Sequence, residues 1–288
     1  MSLHAVPEKT KGHDCLGDSV TFGELADLMR VPLPAQARFA AARFRLQRIA
    51  PRDVLYRSGD PFEAFYVVRS GLLKLAAVDN GVPEQVVAFV LSGETAGVDG
   101  FQGGNHCVDA TALDAVEVAL VPFRKLEQLA ELAGERELGE QLLQRILVRA
   151  MVQDAGLLGQ PETLDARSRV AAFLVSLEKR FERVHGAPAQ LDLPMTDAEI
   201  ASYLRLPHEE LGSVLREFVE AGLIHVRART VSFASPGGLA ALVEQARQAR
   251  NSHSAAPARR REATPVTGGN LSNSGKFGTL SGQRPNRR

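Results

Sequence analysis

The sequence predicts an α+β fold in three parts: a roll of short β-strands, a long amphipathic helix, and two short helices closed by a small hairpin. Three observations carry this. Between Ile49 and Phe123, short β-rich runs alternate with glycine-containing turns. Between residues 134 and 160, apolar residues recur at three- and four-residue steps. Between Met195 and Phe233, a helix start, a tight break, a second helix and a hairpin follow in close order.

Each element has its own signal. After a polar N-terminal stretch, helices are expected near Phe22–Met29 and from Pro34 to about Phe44. Strands follow at Val54–Tyr56, Ala64–Val68, Leu72–Leu75, Gln85–Leu91, Val108–Leu113 and Val116–Val121. Turn residues separate them, with Asp79-Asn80-Gly81 as a hairpin signal. After Pro122 the period becomes helical, and Leu138, Leu142, Ile146, Ala150, Gln153 and Leu157 form a stripe of about three heptads. Glu, Arg and Gln flank that stripe as they flank exposed seams, so it reads as a dimerisation helix. Asp165–Val184 is a second amphipathic helix, with Val170, Phe173, Leu174, Leu177 and Phe181 on its apolar face, broken by Gly186-Ala187-Pro188.

In the next segment Thr196 and Glu199 form a capping box that starts a helix, and Ile200, Ala201 and Leu204 point inward. Arg205-Leu206-Pro207 breaks it, and proline suits the first position of the next helix. There Leu211, Val214, Leu215 and Phe218 are the buried side, while His208, Glu209, Gly212, Ser213 and Arg216 lie opposite. Gly222 to Phe233 reads as a two-stranded wing carrying Arg227 and Arg229. This is the arrangement of a winged helix-turn-helix, which places its second helix in the major groove of double-stranded DNA.

The 288 residues suffice for about two domains. The formal net charge is zero, but residues 247–288 hold nine Lys and Arg against one acid, Glu262. That segment also holds few large apolar residues, so it reads as a disordered basic tail. No apolar run approaches the roughly 20 residues of a membrane span, and residues 1–16 lack the apolar core of a secretory signal. The expected compartment is the cytoplasm, with no membrane partner. Cys15 and Cys107 are too few for a disulfide framework or a four-thiolate metal site. Cys15 reads as a bystander in a polar segment, and Cys107 as a small buried hydrophobe. No nucleophile constellation or metal-ligand spacing points to an enzyme.

The order of short motifs is distinctive. Tyr66-Val-Val-Arg-Ser-Gly71 precedes Leu91-Ser-Gly-Glu94 and Gly97-Val-Asp-Gly100; Val121-Pro-Phe123, Arg167-Ser-Arg-Val-Ala-Ala-Phe-Leu174 and the helix-turn-helix follow. From Ile49 to Phe233 the chain resembles the Crp/Fnr family, that of the cyclic-AMP receptor protein and the fumarate-nitrate reduction regulator. Gly97-Val-Asp-Gly100 is similar to the fumarate-nitrate branch's version of that loop. The resemblance implies a cyclic-nucleotide-binding-like β-roll, a dimerisation helix and a winged helix-turn-helix. The expected boundaries are 1–43 for the N-terminal segment, 44–133 for the roll, 134–160 for the dimerisation helix, 163–236 for the DNA-binding domain and 247–288 for the tail. The implied function is a homodimeric, sequence-specific transcriptional regulator with an effector-sensing roll, with RNA polymerase a further candidate partner.

The family's cofactors do not carry over. The cyclic-nucleotide branch holds its phosphate with an Arg-Ser pair, whereas residues 103–111 contain no Arg or Lys. The oxygen-sensing branch ligates an iron-sulfur cluster through three N-terminal cysteines and one in the roll, whose position here is Ala119. Neither cyclic AMP nor an iron-sulfur cluster is expected, and His106 is an axial haem ligand by residue type alone. The expected DNA-binding residues are Thr196, Arg205, His208, Glu209, Gly212, Ser213, Arg216, Arg227 and Arg229. The fumarate-nitrate branch reads bases with Glu-x-x-Ser-Arg, and here Glu209 stands but Gly212 and Ser213 replace the Ser and the Arg. The helix also carries Glu209, Glu210, Glu217 and Glu220 against Arg216. An alternative is therefore a regulator-like protein with lost or altered DNA specificity that acts through protein contacts.

Overall fold

The structure is a computed structural model and describes residues 19–30, 43–78, 84–124, 164–185, 190–235 and 237–254. Two sheets form the roll. One has the order β1-β2-β9-β4-β7, from Ser19–Thr21, Arg43–Ile49, Val116–Pro122, Ala64–Ser70 and Thr95–Ala96. The other has the order β3-β8-β5-β6, from Val54–Tyr56, Asp109–Ala112, Leu73–Ala77 and Gln85–Val90. All pairings are antiparallel. Between the sheets lies a core of Ile49, Tyr56, Val68, Leu73, Leu75, Ala88, Val90 and their neighbours. Successive side chains of a strand face opposite ways, so each sheet has a second face to cover.

Helix α1, Phe22–Leu28, covers the outer face of the first sheet. Its Phe22, Leu25 and the following Met29 pack on Phe44, Leu46, Phe65, Val67 and Val121. Thr21 starts it through a capping box with Glu24. The helix expected from Pro34 to Phe44 is corrected at its end: Arg43 and Phe44 open β2, where Phe44 and Leu46 alternate inward. The remainder of that segment lies outside the described residues. Gly71 turns β4 into β5 with φ +81°, and a Cβ there would sit 2.5 Å from the Ala115 carbonyl oxygen, so this turn requires glycine.

The outer face of the second sheet is covered by the C-terminal unit. Helix α2, Ala166–His185, precedes β10, Leu191–Asp192. Then come α3, Asp197–Leu204, α4, His208–Glu220, the hairpin β11–β12 over Ile224–Arg227 and Thr230–Phe233, and α5, Gly238–Ser254. One apolar cluster joins Leu72, Val86, Phe89, Leu91 and Leu113 of the roll to Val170, Phe173, Leu177, Leu211 and Phe218. Roll and helix-turn-helix thus share a core.

Helix α5 corrects the expected tail. Arg247 and Arg250 lie in a helix that runs to Ser254. Leu239, Leu242 and Val243 pack on the C-terminal core at helical spacing and anchor it. Residues 255–288 lie outside the described residues, as do Cys15 and the whole expected dimerisation stripe of Leu138, Leu142, Ile146, Ala150, Gln153 and Leu157. Among the described residues, no helix is long and apolar enough to cross a membrane.

Candidate nucleic-acid interface

The helix-turn-helix forms for the local reasons its sequence states. The Thr196 hydroxyl caps the Glu199 N–H at 3.2 Å, and the Glu199 carboxylate returns to the Thr196 N–H at 2.8 Å. Arg205 ends α3 in the left-handed region, φ 52°, and exposes its side chain. Pro207 precedes α4, whose first residue is His208, one position later than proline's expected place. In α4, Leu211, Val214 and Phe218 are buried and Leu215 is half-buried. His208, Glu209, Ser213 and Arg216 are exposed and Gly212 is half-exposed. The structure thus places the expected reading residues on one free face of α4.

Arg227 and Arg229 flank the wing turn, both exposed, and Ala228 takes the left-handed conformation at φ 53°. The Arg216 guanidinium folds back on its own helix, donating from Nε to the Gly212 carbonyl at 3.1 Å and from Nη2 to the Ser213 hydroxyl at 3.2 Å. Of the four acids on α4, Glu217 is paired with Arg167 of α2 at 3.1 Å. That pair removes one negative charge from the balance of the helix.

A second set of contacts, which sequence reasoning missed, joins this module to the roll. Arg180 of α2 grips Glu94, which follows β6, with Nε at 2.8 Å from Oε1 and Nη2 on Oε2. The same Nη2 donates to the Phe89 carbonyl, and both charged side chains are 9% exposed. Lys74 of β5 reaches Glu84 at 2.8 Å and Glu199 at 3.2 Å, and Arg52 reaches Glu199 at 3.3 Å. The Ser202 hydroxyl accepts the Val86 N–H at 2.9 Å and donates to the Glu84 carbonyl at 3.1 Å. Phe89 packs against Tyr203 and Phe173, with ring centroids 5.2 and 6.2 Å away. The available signals were Lys74 inside the apolar run Leu72 to Leu75 and Arg180 inside an apolar helix face. Neither names its partner.

Burial pushes the Glu199 carboxyl up, but the Thr196 N–H and hydroxyl and the Lys74 ammonium outweigh it, so it titrates below the ordinary glutamate value of 4.5. A depressed carboxylate stabilises the fold fully above its unfolded value and loses that contribution as pH falls through its folded value. Unfolding midpoints of the wild type should therefore drop as pH falls below 4.5. Glu199→Gln should drop less steeply over that range; parallel pH profiles for the two proteins would contradict this.

In the roll, the Gly97–Cys107 loop is built around Asp99. Its carboxylate accepts the Cys107 N–H at 2.8 Å and the Tyr56 hydroxyl at 3.3 Å, and lies 3.3 Å from His106 Nδ1. His106 is buried and stacks on Tyr56 at 3.8 Å. Burial and the Asp99 charge push the Tyr56 phenol well above its ordinary value, so it stays neutral. The buried Cys107 expected from sequence is corrected: its side chain is exposed on the loop surface, where Sγ rests on the Asp99 and Asn105 carbonyl oxygens instead of entering the apolar core. Ala119 is fully buried in β9.

The family model "Cyclic nucleotide-binding domain" matches residues 46–133, and "Crp-like helix-turn-helix domain" matches residues 168–242. The chain is 33% identical over 190 residues to the transcriptional activator protein FnrA of Stutzerimonas stutzeri, covering 66% of this chain and 77% of that one. It is 28% identical over 203 residues to the fumarate and nitrate reduction regulatory protein of Escherichia coli K12, covering 70% and 80%. FixK2 from Bradyrhizobium japonicum shares the fold, with a TM-score of 0.56 at 23% identity over 69% of this chain and 96% of that one.

Proposed function

This chain belongs to the Crp/Fnr family of transcriptional regulators, and from that premise we propose a cytoplasmic homodimer that reads a DNA half-site different from that of its fumarate-nitrate relatives. The exposed face of α4 carries the reading: Glu209 is in place to accept from cytosine N4, while Gly212 and Ser213 offer no guanidinium for guanine. Arg205, Arg216, Arg227 and Arg229 surround that face and supply phosphate contacts. The basic residues beyond α5 add sequence-independent affinity. RNA polymerase is the partner expected of a regulator at a promoter.

The effector is neither cyclic AMP nor an iron-sulfur cluster. The loop that would hold a cyclic phosphate has the Asp99 carboxylate at its centre and no Arg or Lys from Gly97 to Thr111, so a buried phosphate would meet the Asp99 charge with no arginine to compensate it. Two cysteines cannot supply the four thiolates of a cluster, and Ala119 offers none. His106 has its Nδ1 against Asp99 and its ring on Tyr56, which makes it part of the loop's packing.

Titrating the protein against pooled genomic fragments in a gel shift tests the main reading. Selective retention of a subset is expected. Retention of none at low salt would favour the second reading, a regulator acting by protein contact, for which the excess of acid on α4 speaks. Dimerisation has its own test. Ile146→Glu places a charge in the proposed seam and should give a monomer by light scattering at micromolar concentration. A wild type already monomeric there would refute the dimer.

A further inference from the structure

We propose that the cleft between the end of α1, the turn between β6 and β7, and the C-terminal half of α2 is an oxyanion site that ties the DNA-binding unit to the roll. The cleft is shallow, enclosing only about 10 Å³ below an open mouth, and is lined by Leu28, Arg30, Ser92, Gly93, Glu94, Arg180 and Arg183. Three guanidinium groups there face one carboxylate. Glu94 is already committed to Arg180, from which it accepts two hydrogen bonds, and to the Leu91 N–H at 2.9 Å. Two positive charges are left without a counter-charge in the lining.

The donors are arranged for an incoming ligand. Arg180 uses Nε and Nη2 on Glu94 and Phe89, and its Nη1 makes no hydrogen bond among the described residues. This side chain is itself nine-tenths buried and held rigid by the pair. Arg30 and Arg183 stand exposed at the rim with no ion-pair partner among the described residues. One buried and two exposed guanidinium groups suit a doubly charged tetrahedral oxyanion, since arginine binds phosphate oxygens through paired, charge-assisted N–H bonds. The enclosed space has room for about one water-sized group, so one oxygen of the anion enters it and the rest lies at the open mouth among the guanidinium groups. The ligand class is therefore a phosphate, free or as the terminal group of a larger molecule whose remainder stays in solvent.

The position determines the consequence. Arg30 follows the helix packed on the roll, just past its C-cap Met29, and Arg180 and Arg183 belong to the DNA-binding unit. An anion between them replaces mutual repulsion by a bridge. Bound phosphate should stabilise the docked arrangement, and the site is separate from the reading face of α4.

Isothermal titration of the full chain with inorganic phosphate, at constant ionic strength set by chloride, tests this without DNA. The result therefore stands apart from the half-site reading. Saturable binding is expected, weakened at least tenfold in Arg30→Gln/Arg183→Gln and unchanged in Arg227→Gln/Arg229→Gln, which removes cations of the DNA face instead. If the first double variant does not fold, Arg183→Gln alone should weaken binding at least threefold. A nucleoside monophosphate in the same cell separates the sources. Tighter binding than inorganic phosphate marks a carried phosphate, and equal binding marks the free ion. Linear, unsaturable heats, or binding lost only with the wing arginines, would overturn the proposal.

Discussion

Arg180→Met should destabilise the folded chain by about 3–5 kcal/mol, read as a shift of the urea midpoint at neutral pH. The cost is not the loss of a favourable pair in itself. Two charges taken out of water are compensated mainly by each other, so a buried ion pair adds little net stability against apolar groups of the same shape. Removing one partner leaves the other charged and buried. Here the survivor is Glu94, 9% exposed, which would keep only the Leu91 N–H. The Phe89 carbonyl would lose its donor as well. Glu94→Gln in the same background should recover a large part of the loss, because a neutral amide no longer carries an unpaired charge. Glu94→Gln alone should cost less than Arg180→Met, since arginine can swing its long stem toward solvent. A loss under about 1 kcal/mol for Arg180→Met would show that solvent already screens the pair.

That pair also marks the boundary of what the residues disclosed in advance. The strands of the roll were legible because turn residues punctuate them and their side chains alternate; β5 and β8 lie where Leu72–Leu75 and Val108–Leu113 pointed. The helix-turn-helix was legible because its stop and start signals are local, in Thr196, Glu199 and Pro207. β2 was hidden by the alanine-rich stretch before it, which extended a helical reading through Phe44. α5 was hidden by composition: its arginines suggested a solvated tail, while Leu239, Leu242 and Val243 were enough to anchor a helix to a neighbouring core. Contacts between the units were not legible at all. Lys74 and Glu199 stand 125 residues apart, and Arg180 and Glu94 stand 86 apart. A charge inside an apolar run announces that a partner exists, and only the fold says which.

The other large effect is expected at α4. Gly212→Ser with Ser213→Arg should create a preference for the half-site read by relatives carrying Glu, Ser and Arg at these positions. The preference should reach roughly 5- to 150-fold over a scrambled duplex, since a bidentate arginine–guanine contact is worth about 1–3 kcal/mol of discrimination. The structure has room for it. A Cβ at Gly212 meets no atom within 4 Å, and Ser213 is exposed. Glu209, the third reading position, is unchanged and sits one turn earlier on the same face. Replacing a helix-interior glycine should add rather than remove stability, about 0.5 kcal/mol or more. Losing the Ser213 hydroxyl removes one of the two bonds that fold Arg216 back, leaving its Nη2 to reach a phosphate while Nε keeps the Gly212 carbonyl. Fluorescence anisotropy with both duplexes at one fixed salt concentration reads the effect, because salt alone moves every affinity. The wild type should bind the two duplexes alike. If the variant also binds them alike while remaining folded and dimeric, positions 209, 212 and 213 do not face the bases, and the assignment of α4 as the reading helix fails.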